Sequence, residues 1–418
     1  MADHGSGTER PPGGVRRFGP LLRNRSFRSY FLSLAAGETG YSVYAVPVIW
    51  LALRISGSAE FTGIVVGLEF GIYALTFAVA PFVDRVANLR TILLIGYPLQ
   101  GGLAILLGLL ATAGALTPAL LLGLVAAISL LWDFTWTALN ATPPRIVAPD
   151  DLFAANGLSG AVSGGNQIAG FAIGAALLVV VGPADGMLLY GAFNLLGAAL
   201  AVPLEARLAR APSRGFSAEF REGWEYLTET RSPPMRTLVS FSAVQGLLSG
   251  TAPVLVALVA ARRFAEPLPA YGILFTAFAV GGVAGSFALG ALSPRRSVGA
   301  ILAGTTVLEG ILLLGAIAAA PSFVPSGIAW FCVGFVDVAF YTTLLVLLQA
   351  ATPSPLIGRT MGNTYLFRGS ARAAGAALIG VAVSSFALLP VALGLALTFA
   401  ILGLGIPAAL PALRRLAF

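Results

Sequence analysis

Twelve stretches of this chain are apolar over about the 20 residues an α-helix needs to cross the hydrocarbon core of a bilayer, and little room is left between them. They fall at about 29–53, 61–83, 91–113, 117–140, 155–182, 184–205, 236–260, 269–292, 298–320, 323–349, 360–384 and 386–410. In lipid, each backbone N–H and C=O must find its partner within the segment, so runs of this length fold as transmembrane helices. Composition agrees: 57% of the residues are hydrophobic and 10% charged, with mean hydropathy +0.88. A water-facing surface needs about 25% charged residues. The expectation is an all-α membrane protein of twelve transmembrane helices, with the lipid bilayer as its main partner.

The net charge of +7 does not point to nucleic acid, because the basic residues form no single patch. All are arginine, and they sit in the short gaps between apolar runs, where they act as topology signals. Arg16, Arg17, Arg23, Arg25 and Arg28 precede the first span. Arg85 and Arg90 follow the second, Arg145 the fourth, and Arg207, Arg210, Arg214, Arg221 and Arg231 the sixth. Arg295 and Arg296 follow the eighth, Arg359 the tenth, and Arg414 and Arg415 the last. All these gaps share one side, whereas the other side has only Arg54, Arg262 and Arg263. Both termini are therefore expected in the cytoplasm of a multi-pass cell-membrane protein with an even number of spans. Residues 1–28 are polar and lack the apolar core of a signal peptide, so they read as a cytoplasmic tail.

Several chemistries drop out. One cysteine, Cys332, allows neither an intrachain disulfide nor a cysteine metal site, and the one histidine, His4, lies in the tail. With no lysine there is no phosphate-binding loop ending in Gly-Lys-Ser/Thr, so ATP-driven transport by this chain alone is not expected. The expected cofactor is none, with a proton gradient as the energy source. A membrane-embedded enzyme is a remote alternative.

The hydrophilic gap at about 206–235 divides the chain into residues 29–205 and 236–410, with a short tail at 411–418. Phe216, Phe220, Trp224 and Leu227 recur at helical spacing in that gap, as an amphipathic linker helix at the membrane face would require. The halves resemble each other. Ala141-Thr142-Pro143 recurs as Ala351-Thr352-Pro353, Gly-Ala-Ala-Leu at 174–177 recurs at 375–378, and Gln100-Gly101 corresponds to Glu309-Gly310. Common order and offset mark an internal repeat. Two similar six-helix bundles rocking about a shared mid-membrane site satisfy the geometry of alternating access.

Over nearly its whole length the chain resembles the major facilitator superfamily. The loop after span two reads Ala80-Pro-Phe-Val-Asp84-Arg85-Val-Ala-Asn-Leu-Arg90, similar to the family's Gly-x-x-x-Asp-Arg-x-Gly-Arg-Arg/Lys, with both glycines replaced. Arg145-Ile-Val-Ala-Pro149-Asp-Asp-Leu-Phe-Ala-Ala-Asn156-Gly157 and Pro355-Leu-Ile-Gly358-Arg359 resemble the branch of enterobactin exporters and macrolide efflux proteins. Gly170-Phe171-Ala-Ile-Gly174 keeps the glycines of the family's antiporter motif, with Phe171 beside Gly170 where that motif has proline. The resemblance implies two pseudo-symmetric six-helix bundles (a major facilitator fold) and proton-driven export of a drug-like or secondary-metabolite molecule. It implies an antiporter associated with multidrug resistance and working as a monomer on a small-molecule substrate. An importer, or a transporter of an anionic solute or lipid, is the alternative.

Charged groups within the hydrocarbon region cost roughly 2.5–3.5 kcal/mol each, so the few present need a reason. Glu38 lies about ten residues into span one, or roughly 15 Å from its cytoplasmic end, and Asp133 about seven residues, or roughly 10 Å, from that end of span four. The resemblance puts spans one, four, seven and ten around a central cavity, so Glu38, Asp133 and Asp337 would face it. A carboxyl group in poorly solvated surroundings can load and release a proton near neutral pH. Glu38 and Asp133 are thus expected to carry the coupling proton or to bind a cationic cargo group. The alternative is that they are buried groups tying helices together. Glu69 in span two lines the outer part of the cavity or packs. Glu309 in span nine reads as packing.

Tyr41, Tyr44, Trp132 and Trp136 place aromatic surface beside these acids, for cargo or for packing. Arg368 and Arg372, four residues apart on one helix face, are expected to pair with Asp337 or Glu38, or else to bind an anionic substrate. By resemblance, Asp84, Arg85, Arg90 and Arg359 form the cytoplasmic gate. Asp84 would meet a helix N-terminus of the other half when that side closes.

Overall fold

The computed structural model describes residues 18–166, 170–206, 224–225, 233–291, 298–352 and 357–409. Span one is Arg25–Ser56. Span two is broken into Ala59–Tyr73 and Thr76–Arg85. Span three is Leu89–Thr112, span four Pro118–Asn140, and span five Leu152–Gly165 with Phe171–Val181. Span six is Pro183–Ala201 and span seven Pro233–Ser249 with Thr251–Arg263. Span eight is Pro267–Ala291, span nine Val298–Ala318, span ten Phe323–Ala351, span eleven Ile357–Ser385 and span twelve Leu388–Ala409. Eight of these are single helices or segments long and apolar enough to cross a membrane, and the two bent pieces of span two make a ninth. Spans one, five and nine complete the twelve. The amphipathic linker helix lies outside the described residues except Trp224 and Glu225. The Trp224 ring sits 5.3 Å from that of Phe367 in span eleven.

Local chemistry sets the span ends. Asn24 caps span one by accepting from the backbone N–H groups of Ser26 and Phe27, and Ser58 caps span two through Phe61 N–H. Thr117 caps span four, with Pro118 in the first turn, where its missing N–H costs nothing. Gly57 takes the left-handed conformation, φ 62°, that closes span one and lets the chain reverse.

The buried apolar side chains divide in a telling way. One large cluster draws on both bundles: Tyr44–Ala52, Val65 and Val66 from the first, and Leu248–Ala260, Tyr271 and Ile379 from the second. All lie toward the end of the molecule opposite the chain termini. Toward the terminal end, the described residues form two separate clusters. One, around Phe27, Leu93 and Leu139, belongs to the first bundle alone, and one, around Phe241, Phe340 and Leu344, to the second alone. Among the described residues, the bundles therefore share an apolar core toward the far end and have separate ones toward the terminal end.

Small residues make the seal. A Cβ on Gly63 of span two would land on the Ala376 carbonyl oxygen of span eleven and 3.0 Å from the Gly380 Cα. Tyr271 of span eight donates to the Val46 carbonyl of span one (3.1 Å) and stacks on Trp50 at 5.2 Å. The repeat is visible in the packing. Thr142 and Thr352 are both buried and both donate to the carbonyl one turn back, of Ala138 and Leu348 respectively.

Candidate functional site

Glu38 is buried, 6% exposed, against span five, where the Ser163 hydroxyl donates to its Oε1 at 2.9 Å. Asp133 is fully buried between spans four and two. Span two breaks at Ala74–Leu75, which frees the Tyr73 carbonyl and turns Thr76 toward span four. The Thr76 hydroxyl then has two oxygens in reach, the Tyr73 carbonyl at 2.6 Å and Asp133 Oδ1 at 2.5 Å. It has one proton. If that proton goes to the Tyr73 carbonyl, the second bond exists only when Asp133 is a neutral acid that donates. If it goes to Asp133, the carbonyl at the helix break is left without it. The proton on Asp133 is thereby tied to the bend of span two. The other oxygen, Oδ2, is buried without a partner among the described residues.

Glu69 is half-buried on span two, with the Tyr44 hydroxyl approaching it but not in hydrogen-bond geometry. The aromatic residues form one ladder: Trp136 on Trp132 at 6.0 Å, Trp132 on Tyr41 at 4.8 Å, then Tyr44 at 6.2 Å and Tyr190 at 4.8 Å from Tyr44. Only Tyr41 and Trp136 of the four singled out in the sequence keep accessible surface, while Trp132 and Tyr44 are buried within the ladder.

The second bundle holds a relay that sequence reasoning missed. Gln245 of span seven donates to Asp337 Oδ1 of span ten and accepts from Arg368 Nε of span eleven at 3.0 Å. Arg368 and Asp337 are thus linked through an amide, not paired directly. The Arg368 guanidinium lies 4.1 Å from the Tyr341 ring centroid. That of Arg372 lies 3.9 Å from Phe70 of span two, across the bundle boundary. Span eleven is held tightly on span seven here, because a Cβ on Gly250 would land on the Arg372 carbonyl oxygen. Glu309 is buried beside Asp337, with Oε2 unpartnered among the described residues. Thr76, Ser163, Gln245, Phe70 and Tyr341 had no charge to draw attention. Their one signal was position, a turn or less from a helix break or from Asp337.

At the terminal end, Asp84 is 61% exposed and pairs with Arg145 of its own bundle at 3.6 Å. Arg85 lies over Phe82 at 5.8 Å, and Arg90 Nε is buried without a partner among the described residues. Arg359 lies in the first turn of span eleven, and its side chain is outside the described residues. Asp84, the partner to be changed, is exposed, and an ion pair open to solvent on that side contributes about 0–1 kcal/mol. Asp84→Asn should therefore shift thermal stability by less than about 1 kcal/mol while slowing transport, if Asp84 latches the closed state. A melting curve and a rate measured on the same sample separate the two effects. An apolar crevice of about 510 Å³ flanked by Leu247, Ile379 and Leu395 lies outside this arrangement and contains none of the carboxylates.

Twelve spans in two bundles, joined by a shared apolar core and carrying acids, arginines and aromatic rings between their helices, have the architecture of a transporter of the major facilitator type. The chain belongs to the family described as transmembrane secretion effectors, whose sequence profile matches residues 16–416. No curated protein matches it in sequence. Its fold is similar to that of nucleoside transporter NupG, with TM-score 0.69, 12% identity, and 94% of this chain and 99% of that one covered. It is also similar to a POT family transporter in complex with 5-aminolevulinic acid, with TM-score 0.70, 12% identity, and 94% and 97% covered. Peptide transporter POT in complex with sulfate gives TM-score 0.70, 13% identity, and 94% and 96% covered.

Proposed function

We propose that this protein is a proton-coupled exporter that moves a small, partly apolar organic molecule out of the cell by alternating access, working as a monomer in the cell membrane. One observation carries the reading. Among the described residues, the bundles share an apolar core at one end only, and buried carboxyl groups on spans one and four each rest on a single hydroxyl. Arginine placement supports a cytoplasmic location for the parted end. In that orientation the conformation is the one that loads cargo from the cytoplasm. Glu38 and Asp133 carry the coupling protons, Glu69 and Asp337 stand nearer the cleft, and Asp84, Arg85, Arg90 and Arg359 form the cytoplasmic gate. Tyr41 and Trp136 offer flat apolar surface to cargo. The solved relatives, whose names specify nucleoside and peptide transport, support a small organic solute as the cargo class.

The test is a substrate screen in inside-out vesicles with an acidic lumen. Export predicts lumenal accumulation that collapses when the gradient is dissipated. No gradient-dependent movement of any compound would overturn the reading. Accumulation with the gradient reversed would instead establish import, the second reading.

A further inference from the structure

We propose that Arg372 and Arg368 form an anion-binding subsite at the boundary between the two bundles, and that the cargo carries an oxyanion (a carboxylate or phosphate-like group) on an aromatic or otherwise flat apolar body. This deepens the transporter reading and rests on it for the word cargo, but the site itself is defined by its own geometry.

A guanidinium offers five N–H donors and has no acceptor of its own. In the middle of a membrane-spanning helix it is normally paired with a carboxylate or a carbonyl. Arg372 has neither. Its guanidinium lies over the face of Phe70, and its Nε is buried without a partner among the described residues. The one ion pair among the described residues is Asp84–Arg145, at the far remove of the terminal end. Arg368 is only partly satisfied, since Gln245 takes Nε and Tyr341 covers one face. The Asp337 carboxylate is reached through Gln245 and held by its amide. Both guanidiniums therefore lie over aromatic rings with N–H groups left over, and both side chains keep accessible surface.

Position makes this a cargo subsite and not a packing device. Arg372 rises from span eleven one residue before Ala373, whose carbonyl packs on Gly67 as part of the far-end seal, and Phe70 belongs to the opposite bundle. An oxyanion bound there touches the inner edge of the seal and both moving bodies. Tyr41, Tyr73 and Tyr341 lie within electrostatic reach of the two arginines. Their rings, with Phe70, provide flat surface for the rest of the molecule. A charge-assisted hydrogen bond to an oxyanion strengthens binding by about tenfold or more over its neutral counterpart.

The experiment measures equilibrium binding of three probes of one shape, 2-naphthoate, 2-naphthalenemethanol and 2-naphthylmethylamine, to the purified full chain in detergent. Wild type should bind naphthoate about tenfold or more tightly than the alcohol, and the amine no better than the alcohol. Arg372→Gln should erase the preference, while Arg372→Lys, which keeps the charge, should retain part of it. Gel filtration of each variant confirms folding. Equal binding of naphthoate and alcohol to wild type, or an undiminished preference in a folded Arg372→Gln, overturns the proposal. So does stabilisation of wild type by phosphatidylglycerol over phosphatidylcholine that depends on Arg372 and excludes naphthoate, because the occupant would then be a lipid headgroup. Naphthoate binding without gradient-driven transport would count against the exporter reading alone. Gradient-driven transport restricted to cations would count against the subsite alone.

Discussion

Vesicles carrying the double variant Asp133→Asn, Glu38→Gln should exchange labelled cargo at close to the wild-type rate when no gradient is present and should accumulate none when one is imposed. The magnitude is set by linkage. One coupled proton at a gradient of one pH unit stores about 1.4 kcal/mol, enough for about tenfold accumulation. Without titratable groups that figure falls to one. Each amide keeps the volume and a hydrogen-bonding oxygen for Ser163 or Thr76, so the helix contacts survive. Asp133→Asn alone should carry most of the loss, because its carboxyl shares the Thr76 hydroxyl with the carbonyl at the break of span two. Unchanged accumulation in the double variant would remove these residues from the coupling mechanism.

Substituting Gly63 with leucine should hold the far end open. The added Cβ meets backbone atoms of Ala376 and Gly380, which cannot rotate away as a side chain would. Overpacking costs about 1–3 kcal/mol, and about 2 kcal/mol shifts a two-state equilibrium by roughly thirtyfold. The cost falls only on the state in which spans two and eleven touch at this height. A cysteine placed at Tyr41, in a Cys332→Ala background, should then react much faster with a membrane-impermeant thiol reagent from the far side than it does without the leucine. Equal rates would mean that the span two–span eleven contact does not govern access.

The twelve spans were legible because lipid leaves a helix no alternative, and the hydropathic record of that constraint is long and redundant. The acids and arginines were legible for the related reason that charge in an apolar run is rare. Their partners were not. Thr76, Ser163 and Gln245 are neutral residues of kinds common in helices, and only the crossing of spans two with four, one with five, and seven with eleven brings them to a carboxyl group. The break at Ala74–Leu75 has no proline or glycine at it to announce it. The direct pairing of Arg368 with Asp337 expected from charge alone gives way to a link through Gln245, because an amide both donates and accepts and so satisfies the two ions at once. The sequence must encode both ends of the transport cycle, so it does not disclose which end is closed. Only the packing, among the described residues, divides the apolar core into one cluster shared by the bundles and two separate ones.

During transport the two bundles should exchange one seal for another about their common boundary. Paired spin labels report this directly in a Cys332→Ala background, one pair at Gly57 and Ser385 for the far end and one at Asn140 and Thr352 for the terminal end. Under an imposed proton gradient, the far-end distance should lengthen while the terminal-end distance shortens within the same sample. Distances that stay fixed, or that change together in the same direction, would contradict it.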